Sequence, residues 1–542
     1  MKSSGVTSKL LLALAAICAT TLGSVVSASA DNHPFAITQS GFVIGTTANG
    51  VNEFLGIPYA VPPVGALRWQ PPKRYGFFPE FFFKATTFGS QCPQGGGGNE
   101  NCLFLNVYTP QTRFGGGGDG RDSHRDDEFH RGLPVMVWIH GGGLTGGAGS
   151  DYDPSQLVKK GVIVVTINYR LGLLGFFAQS ALDTEGHEAG NYGFMDQQLA
   201  LNWVRRNILG FGGDPSRVTI FGESAGGQSV YSQLASPTAA HLFRGAIAES
   251  GSYVEFQDYF DDIVTLPIGE TTGTSLVPSG SSIATSVGCA SQTAACLRAV
   301  PAATLVGVEA GVVYPFVDGI LLTQTPSAAF ASGQFNQVPV ISGTNHDEWR
   351  IFVAEQYALG NLLATLPEYD AAELALWGPL LASTVESLYP DSPANDVNGP
   401  EALGASGTDG IFACPARNAD QLLSQFVTTY TYEFNDENAP PAQSSIPGLT
   451  FPLGAYHAAE IQYLFVIGGT PPPFTPAQQQ LSAAMVTYWT QFAKNLNPNS
   501  PSEPVWSPYS IATDQFQSLI PPTPMVESTF AANHLCGFWD AF

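Results

Sequence analysis

Basic side chains are in short supply. Lysine and arginine together number 21 against 45 aspartates and glutamates in 542 residues, a formal net charge of −24. Binding a phosphate backbone needs a basic face, so this balance excludes nucleic acid as a partner and disfavours docking onto anionic lipid. Solubility of an exported protein is a sufficient account of the acidity. Cysteine is sparse too, with seven residues and no C-x-x-C pair. Nothing therefore has the spacing of a cysteine-built zinc site, and no metal or organic cofactor is expected. No N-x-S/T sequon occurs, no Gly-Lys-Ser/Thr follows a glycine run, and no internal repeat is visible, so N-glycosylation and a phosphate-cradling loop have no signal. Past the first thirty residues no apolar run is long enough to span a bilayer, so the mature chain is expected to carry no integral membrane segment. Nothing in the sequence speaks to oligomeric state.

What is present begins with a leader. Lys2 and Lys9 precede an apolar stretch from Leu10 to about Leu22, and Ala28-Ser29-Ala30 follows as a small-residue cleavage site. Residues 1–30 are read as a signal peptide, and residues 31–542 as a single secreted, extracellular domain with loop insertions. Cys18 leaves with the leader. Of the remaining cysteines, neighbours in sequence point to Cys92 with Cys102, Cys289 with Cys296, and Cys414 with Cys536.

Val- and Ile-rich runs at 135–139 and 162–169 read as strands covered on both faces, the apolar, β-branched run 218–221 as a short buried strand, and 244–248, 338–342 and 427–434 as further strands. Helical periodicity over 197–208 and 477–494 lies between and after them. Strand alternating with helix predicts an α/β fold with a mostly parallel central sheet flanked by helices. The glycine-punctuated runs from Phe35 to Val51 predict a small N-terminal antiparallel sheet at its edge. The cluster Phe77, Phe78, Phe81, Phe82 and Phe83 is read mainly as core, with a pocket wall or an apolar surface patch as the other uses open to it. The glycine runs 95–98 and 115–118 mark loops, the second continuing into a charge-dense excursion over 119–131.

The stretch FGGDPSRVTIFGESAGG, Phe211 to Gly227, is the centre of the chemistry. A strand ends at Phe221 and a helical pattern opens at Ala225, with Ser224 between them in G-x-S-x-G, flanked by Gly222 and Gly226. A nucleophile on such a sharp turn needs neighbours without bulk, and the Ala225 amide then lies at a helix N-terminus, where negative charge is stabilised. An activated serine needs a base, and the base an orienting carboxylate. Among nine histidines, His457 has the late loop position that the order Ser, acid, His requires. The acid should follow the strand 338–342, where Asp347 and Glu348 both qualify on chemistry. His140-Gly141-Gly142-Gly143-Leu144 follows another strand, and three positions without side chains let the amides of Gly142 and Gly143, with that of Ala225, converge on an oxyanion. A histidine taken at random is more often structural than catalytic, and that plainer reading applies to His140.

These stretches, together with FLGIPYAVPPVGALRW, ENCLFLNVYTP, VMVWIHGGGL, GNYGFMDQQLALNWVRRNI, GTNHDEW, GAYHAAEIQYLF and CGFWDAF, make nearly the whole mature chain resemble the type-B carboxylesterase and lipase family, which includes the cholinesterases. The resemblance implies an α/β-hydrolase fold, Ser224 as nucleophile, Glu348 rather than Asp347 as acid, His457 as base, and Gly142, Gly143 and Ala225 as the oxyanion hole. It also implies the three cysteine pairings above, an ion pair between Arg68 and Glu100, Ser250 and Glu460 as support around the histidine, and Leu144 and Phe352 in the substrate pocket. The implied activity is hydrolysis of a small-molecule or lipid ester. A lipase or sterol esterase is the alternative within enzymes, and a catalytically silent adhesion protein the alternative outside them.

Departures from the family bear on substrate. Between Cys92 and Cys102 the chain has only PQGGGGNEN, where relatives carry a longer loop that serves as a lid or holds a choline-binding tryptophan. This loop supplies neither a cation–π site nor an apolar flap, which argues against choline esters and lid-gated activation. Asn101 stands where many relatives have an acid, and Trp349 and Arg350 stand where they often have small residues.

Overall fold

The computed structural model describes residues 33–111, 132–187, 190–251, 280–308, 315–358, 366–390, 399–441, 449 and 451–541. The leader, the second glycine run and the charge-dense stretch 119–131 lie outside the described residues.

Sixteen strands are described, numbered here in chain order: β1 Phe35–Thr38, β2 Gly41–Ile44, β3 Thr46–Ala48, β4 Val51–Pro58, β5 Phe82–Lys84, β6 Phe104–Pro110, β7 Leu133–Ile139, β8 Tyr152–Asp153, β9 Ile163–Ile167, β10 Gly213–Glu223, β11 Gly245–Glu249, β12 Val340–Asn345, β13 Thr429–Phe434, β14 Val466–Ile467, β15 Phe516–Leu519 and β16 Met525–Glu527. Eleven of them make one sheet in the order β16-β15-β13-β12-β11-β10-β7-β9-β6-β4-β3. From β9 through β15 all neighbours pair in parallel, and antiparallel pairs close both ends. The fold is the α/β-hydrolase fold. β7, β9, β11, β12 and β13 coincide with strands read from the sequence to within three residues at each end, and β10 contains the run 218–221 but begins five residues earlier, at Gly213.

Period-two alternation divides the core. In β7, Val135, Val137 and Ile139 join one buried cluster while Met136 and Trp138 join another on the opposite face. β9 divides the same way, Ile163, Val165 and Ile167 against Val164. Helices Tyr192–Asn207 and Ala225–Ala235 contribute to the first cluster, and helix Pro476–Asn495 to the second. A strand apolar on both faces has to be covered on both, which is why these runs read as nearly continuous in the sequence.

The small N-terminal sheet is mixed. β1 pairs antiparallel with β2, and β2 pairs parallel with β5, which comes from the phenylalanine cluster. Only one face of this sheet is covered, and that corrects the reading of the cluster as mainly core. Phe78 is buried and stacks on Phe83 at 4.6 Å, but Phe77, Phe81 and Phe82 are 84, 71 and 48% exposed. Disulfides join Cys92 to Cys102, Cys289 to Cys296 and Cys414 to Cys536. Arg68 makes a two-pronged ion pair with Glu100, at 2.7 and 2.6 Å.

Candidate active site

β10 ends at Glu223 and the helix Ala225–Ala235 begins one residue past Ser224. Ser224 takes up the whole turn, with φ 58° and ψ −126°, a left-handed backbone that a residue with a side chain adopts only at a cost. Its amide donates to Glu249 O at 2.9 Å and its carbonyl accepts from Gln228 N at 2.8 Å, so the surroundings hold the strain in place. The glycines flanking the serine are required by contact. A Cβ on Gly226 would lie 2.0 Å from Ile139 O, and one on Gly222 would lie 2.5 Å from the same atom. The serine hydroxyl makes no capping bond to the helix, which leaves it available to a ligand.

β12 ends at Asn345, and the next turn sends the two acids in different directions. Glu348 Oε1 accepts from Thr344 Oγ1 and Asn345 N, both at 2.7 Å, and its other oxygen lies 2.5 Å from His457 Nδ1. Asp347 turns away, accepting from Ala455 N and pairing with Arg350, each at 2.8 Å. Glu348, His457 and the Ser224 turn are thus brought to one end of the sheet. The far nitrogen of the imidazole carries a departure from the expected arrangement. His457 Nε2 has no hydrogen-bond partner and makes none with Ser224; it lies 3.2 Å from Glu223 Oε1.

Glu223, the variable position of the G-x-S-x-G motif, was not singled out from the sequence. It is buried at the end of β10 beside the histidine, and burial, together with the charges of Glu460 and Glu348, raises its pKa well above the ordinary range despite the opposing pull of His457. The available signal was an acid just past the apolar run 218–221. Burial alone would lower the pKa of His457, but the charges of Glu223 and Glu348, the hydrogen bond to Glu348 and the charge of Glu460 outweigh it and lift it to about 9. Glu460 acts on the imidazole through charge only; its Oε2 accepts from Asn345 Nδ2 at 2.6 Å, and burial pushes it up to about 7. Ser250 is fully buried with φ 49°, and its hydroxyl has no partner, so it makes no hydrogen bond to the histidine either.

The loop after β7 reverses tightly through Gly142 at φ 98° and Gly143 at φ 59°. Gly142 O accepts from Thr145 N and Gly146 N, and among the described residues the amides of Gly142, Gly143 and Ala225 donate to nothing. The loop is fastened from outside. Gln94, inside the short Cys92–Cys102 loop, accepts from Gly147 N at 2.9 Å and donates to Gly147 O at 3.1 Å. His140 is structural: its ring is fully buried, stacks on Tyr169 at 4.5 Å and has its pKa lowered by desolvation to about 4.

A strained serine on an elbow, a buried imidazole held by a carboxylate and a loop of unused amides agree with what comparison with known proteins finds. The model of the carboxylesterase family matches residues 32–539. The chain belongs to the carboxylesterase family. It is 32% identical to the cocaine esterase of Homo sapiens over 520 residues, covering 87% of this chain and 85% of that one. It is 33% identical to the para-nitrobenzyl esterase of Bacillus subtilis over 495 residues, covering 86% and 91%. A solved PNB esterase superposes with a TM-score of 0.72 at 32% identity, covering 92% of this chain and 98% of that one. The protein is a carboxylic ester hydrolase.

Around the imidazole of this carboxylesterase stands an aromatic wall. Phe352 and Phe412 place their rings 5.1 and 5.0 Å from that of His457, and Trp349 packs on Phe352 at 4.6 Å. Phe412 was not found from the sequence. It sits on a π-helical turn, Thr408–Ala413, a distortion that recurs at functional sites but leaves no local sequence signature. Leu144 is buried with φ 58°, at the end of the glycine loop. No helix among the described residues is long and apolar enough to cross a membrane.

Proposed function

We propose that this carboxylesterase is secreted after removal of residues 1–30, folds as a single domain, and cleaves small-molecule esters with Ser224, His457 and Glu348. His457 takes the proton of Ser224 as the hydroxyl oxygen attacks the ester carbonyl. The amides of Gly142, Gly143 and Ala225 receive the oxyanion, and His457 then protonates the leaving alcohol. Water repeats the sequence on the acyl-enzyme and frees the acid. Glu348 keeps the imidazole in the tautomer that presents Nε2 and stabilises the imidazolium. The observation that supports this most is the 2.5 Å bond between Glu348 and His457 Nδ1 beside the elbow. Hydrogen bonds between base and nucleophile often tighten only with substrate bound, so the unpartnered Nε2 agrees with a resting enzyme. Three disulfides agree with export or passage through an oxidising lumen. The relatives' names mention cocaine and para-nitrobenzyl, which agrees with small esters as the substrate class.

Labelling with a serine-directed phosphonate tests the assignment. One phosphonyl group per chain is expected, lost in Ser224→Ala; labelling that survives the substitution rules out Ser224 as nucleophile. The exposed Phe77, Phe81 and Phe82 favour one second reading, action on long-chain esters at an oil–water interface. A jump in rate above the solubility limit of a triglyceride would support it, and a smooth saturation curve is the outcome expected of the first reading.

A further inference from the structure

We propose that the esterase carries a site for a divalent first-row metal ion, Zn²⁺ being the best match, built from His346, Glu433 and His534. Each of the three offers one ligand atom, and these atoms all lie within 4.8 Å of one another. Two imidazoles and a carboxylate are a donor set that suits zinc, with a position left open for water.

The three residues come from three parts of the chain. His346 follows the end of β12, and its amide donates to Phe434 O at 3.1 Å, which fixes it beside β13. Glu433 is on β13, and His534 follows the short helix Phe530–Asn533. The ring of His534 is already oriented as a ligand would be. Asp409 Oδ1 accepts from its Nδ1 at 2.6 Å, so Nε2 is the nitrogen turned toward Glu433 Oε1, 2.5 Å away. A carboxylate on the far nitrogen is the usual outer partner of a metal-bound histidine. Glu433 is held in turn, its Oε2 accepting from Asn435 Nδ2 at 2.9 Å.

His346 completes the donor set. Its ring stands 5.3 Å from that of His534, and its Nδ1 lies 3.3 Å from Asp347 Oδ1, a carboxylate beside the second imidazole of the set. Its side chain is still 33% exposed, which gives an ion a route in and a water ligand a route to the open position. Without an ion, the 2.5 Å contact between Glu433 and His534 is bridged by a proton. Bonds of about 2.1 Å to each would set the two atoms roughly 3.3 Å apart, a movement of under about 1 Å, and the Nε2 proton would leave to solvent.

The test uses the full-length protein stripped with a chelator and then titrated with Zn²⁺ against a chromophoric competitor. One ion per chain is expected, with a rise in Tm as the site fills. His346→Ala, at a partly exposed position that leaves the Asp409–His534–Glu433 chain of bonds intact, is expected to weaken binding at least tenfold. Asp409→Asn, which touches no metal, is expected to weaken it by about 10- to 100-fold. Absence of saturable binding overturns the proposal. Stoichiometric binding that neither substitution weakens overturns it as well, because the ion would then sit elsewhere.

Discussion

Three carboxyl groups act on one imidazole, and that crowding sets how the site responds to pH. Glu348 bonds to His457, Glu223 lies beside its other nitrogen, and Glu460 acts through charge. In the proposed mechanism His457 acts as a base only when neutral. With its pKa lifted to about 9, kcat/KM is expected to climb as pH rises through that value, because raising pH removes the inhibitory proton. Glu223 and His457 titrate as a pair, so Glu223→Gln should move that limb toward acid by on the order of one pH unit; an unmoved limb would mean that Glu223 is already neutral throughout. Glu348→Gln should cut kcat by about 10⁴-fold with little change in KM, whereas Asp347→Asn should leave the rate nearly intact and lower stability instead. At this scale the sequence was legible wherever geometry was local. Gly222, Ser224 and Gly226 could be read because all three lie in one short turn, and the structure adds the reason, a close approach to Ile139 that forbids side chains at both glycines. Asp347 and Glu348 could not be separated on chemistry, because the choice rests on Thr344 and Asn345 accommodating one carboxylate and Arg350 the other. Glu223 was missed because its neighbour across space, His457, is far away in the chain.

Two short segments shape the site without touching the reacting atoms. Gln94 fastens the glycine loop at Gly147, so the shortened disulfide loop that lacks a lid serves as a brace. Gln94→Ala should lower kcat by on the order of tenfold to a hundredfold by loosening the amides of Gly142 and Gly143, with thermal stability nearly unchanged; equal kcat in the two proteins would show that the loop holds itself. The π-helical turn Thr408–Ala413 presents Phe412 to His457 and Asp409 to His534. Phe412→Ala should shift the ratio of kcat/KM between bulky and small esters by about tenfold or more in favour of the bulky ones, measured across a panel of acyl lengths. Neither segment was legible. A π turn shares its composition with an α-helix, and a glutamine among glycines reads as solvent-facing until its partner loop is known.

At the scale of the molecule, six of the eleven strands of the central sheet, β7 and β9 to β13, could be read one by one from the sequence, but their order could not. Alternation says that a strand has two faces and is silent on which strand lies beside it, so nothing in the sequence foretold that β9 lies between β6 and β7. The phenylalanine cluster failed for the same reason, since hydrophobicity does not reveal that a small sheet is left bare on one side. The Cys414–Cys536 bridge, whose cysteines are 122 residues apart, should contribute about 4 to 5 kcal/mol, read as the difference in urea unfolding between the native protein and a double serine variant. The same arrangement orders events in time. His534 meets Asp409 and Glu433, which precede it by 125 and 101 residues, and Cys536 meets Cys414. During synthesis the turn bearing Phe412 can meet Trp349 and Tyr389 early, but it waits for His534 and Cys536, translated more than a hundred residues later. A chain ending short of residue 534 would leave Asp409, Glu433 and Cys414 without these late contacts.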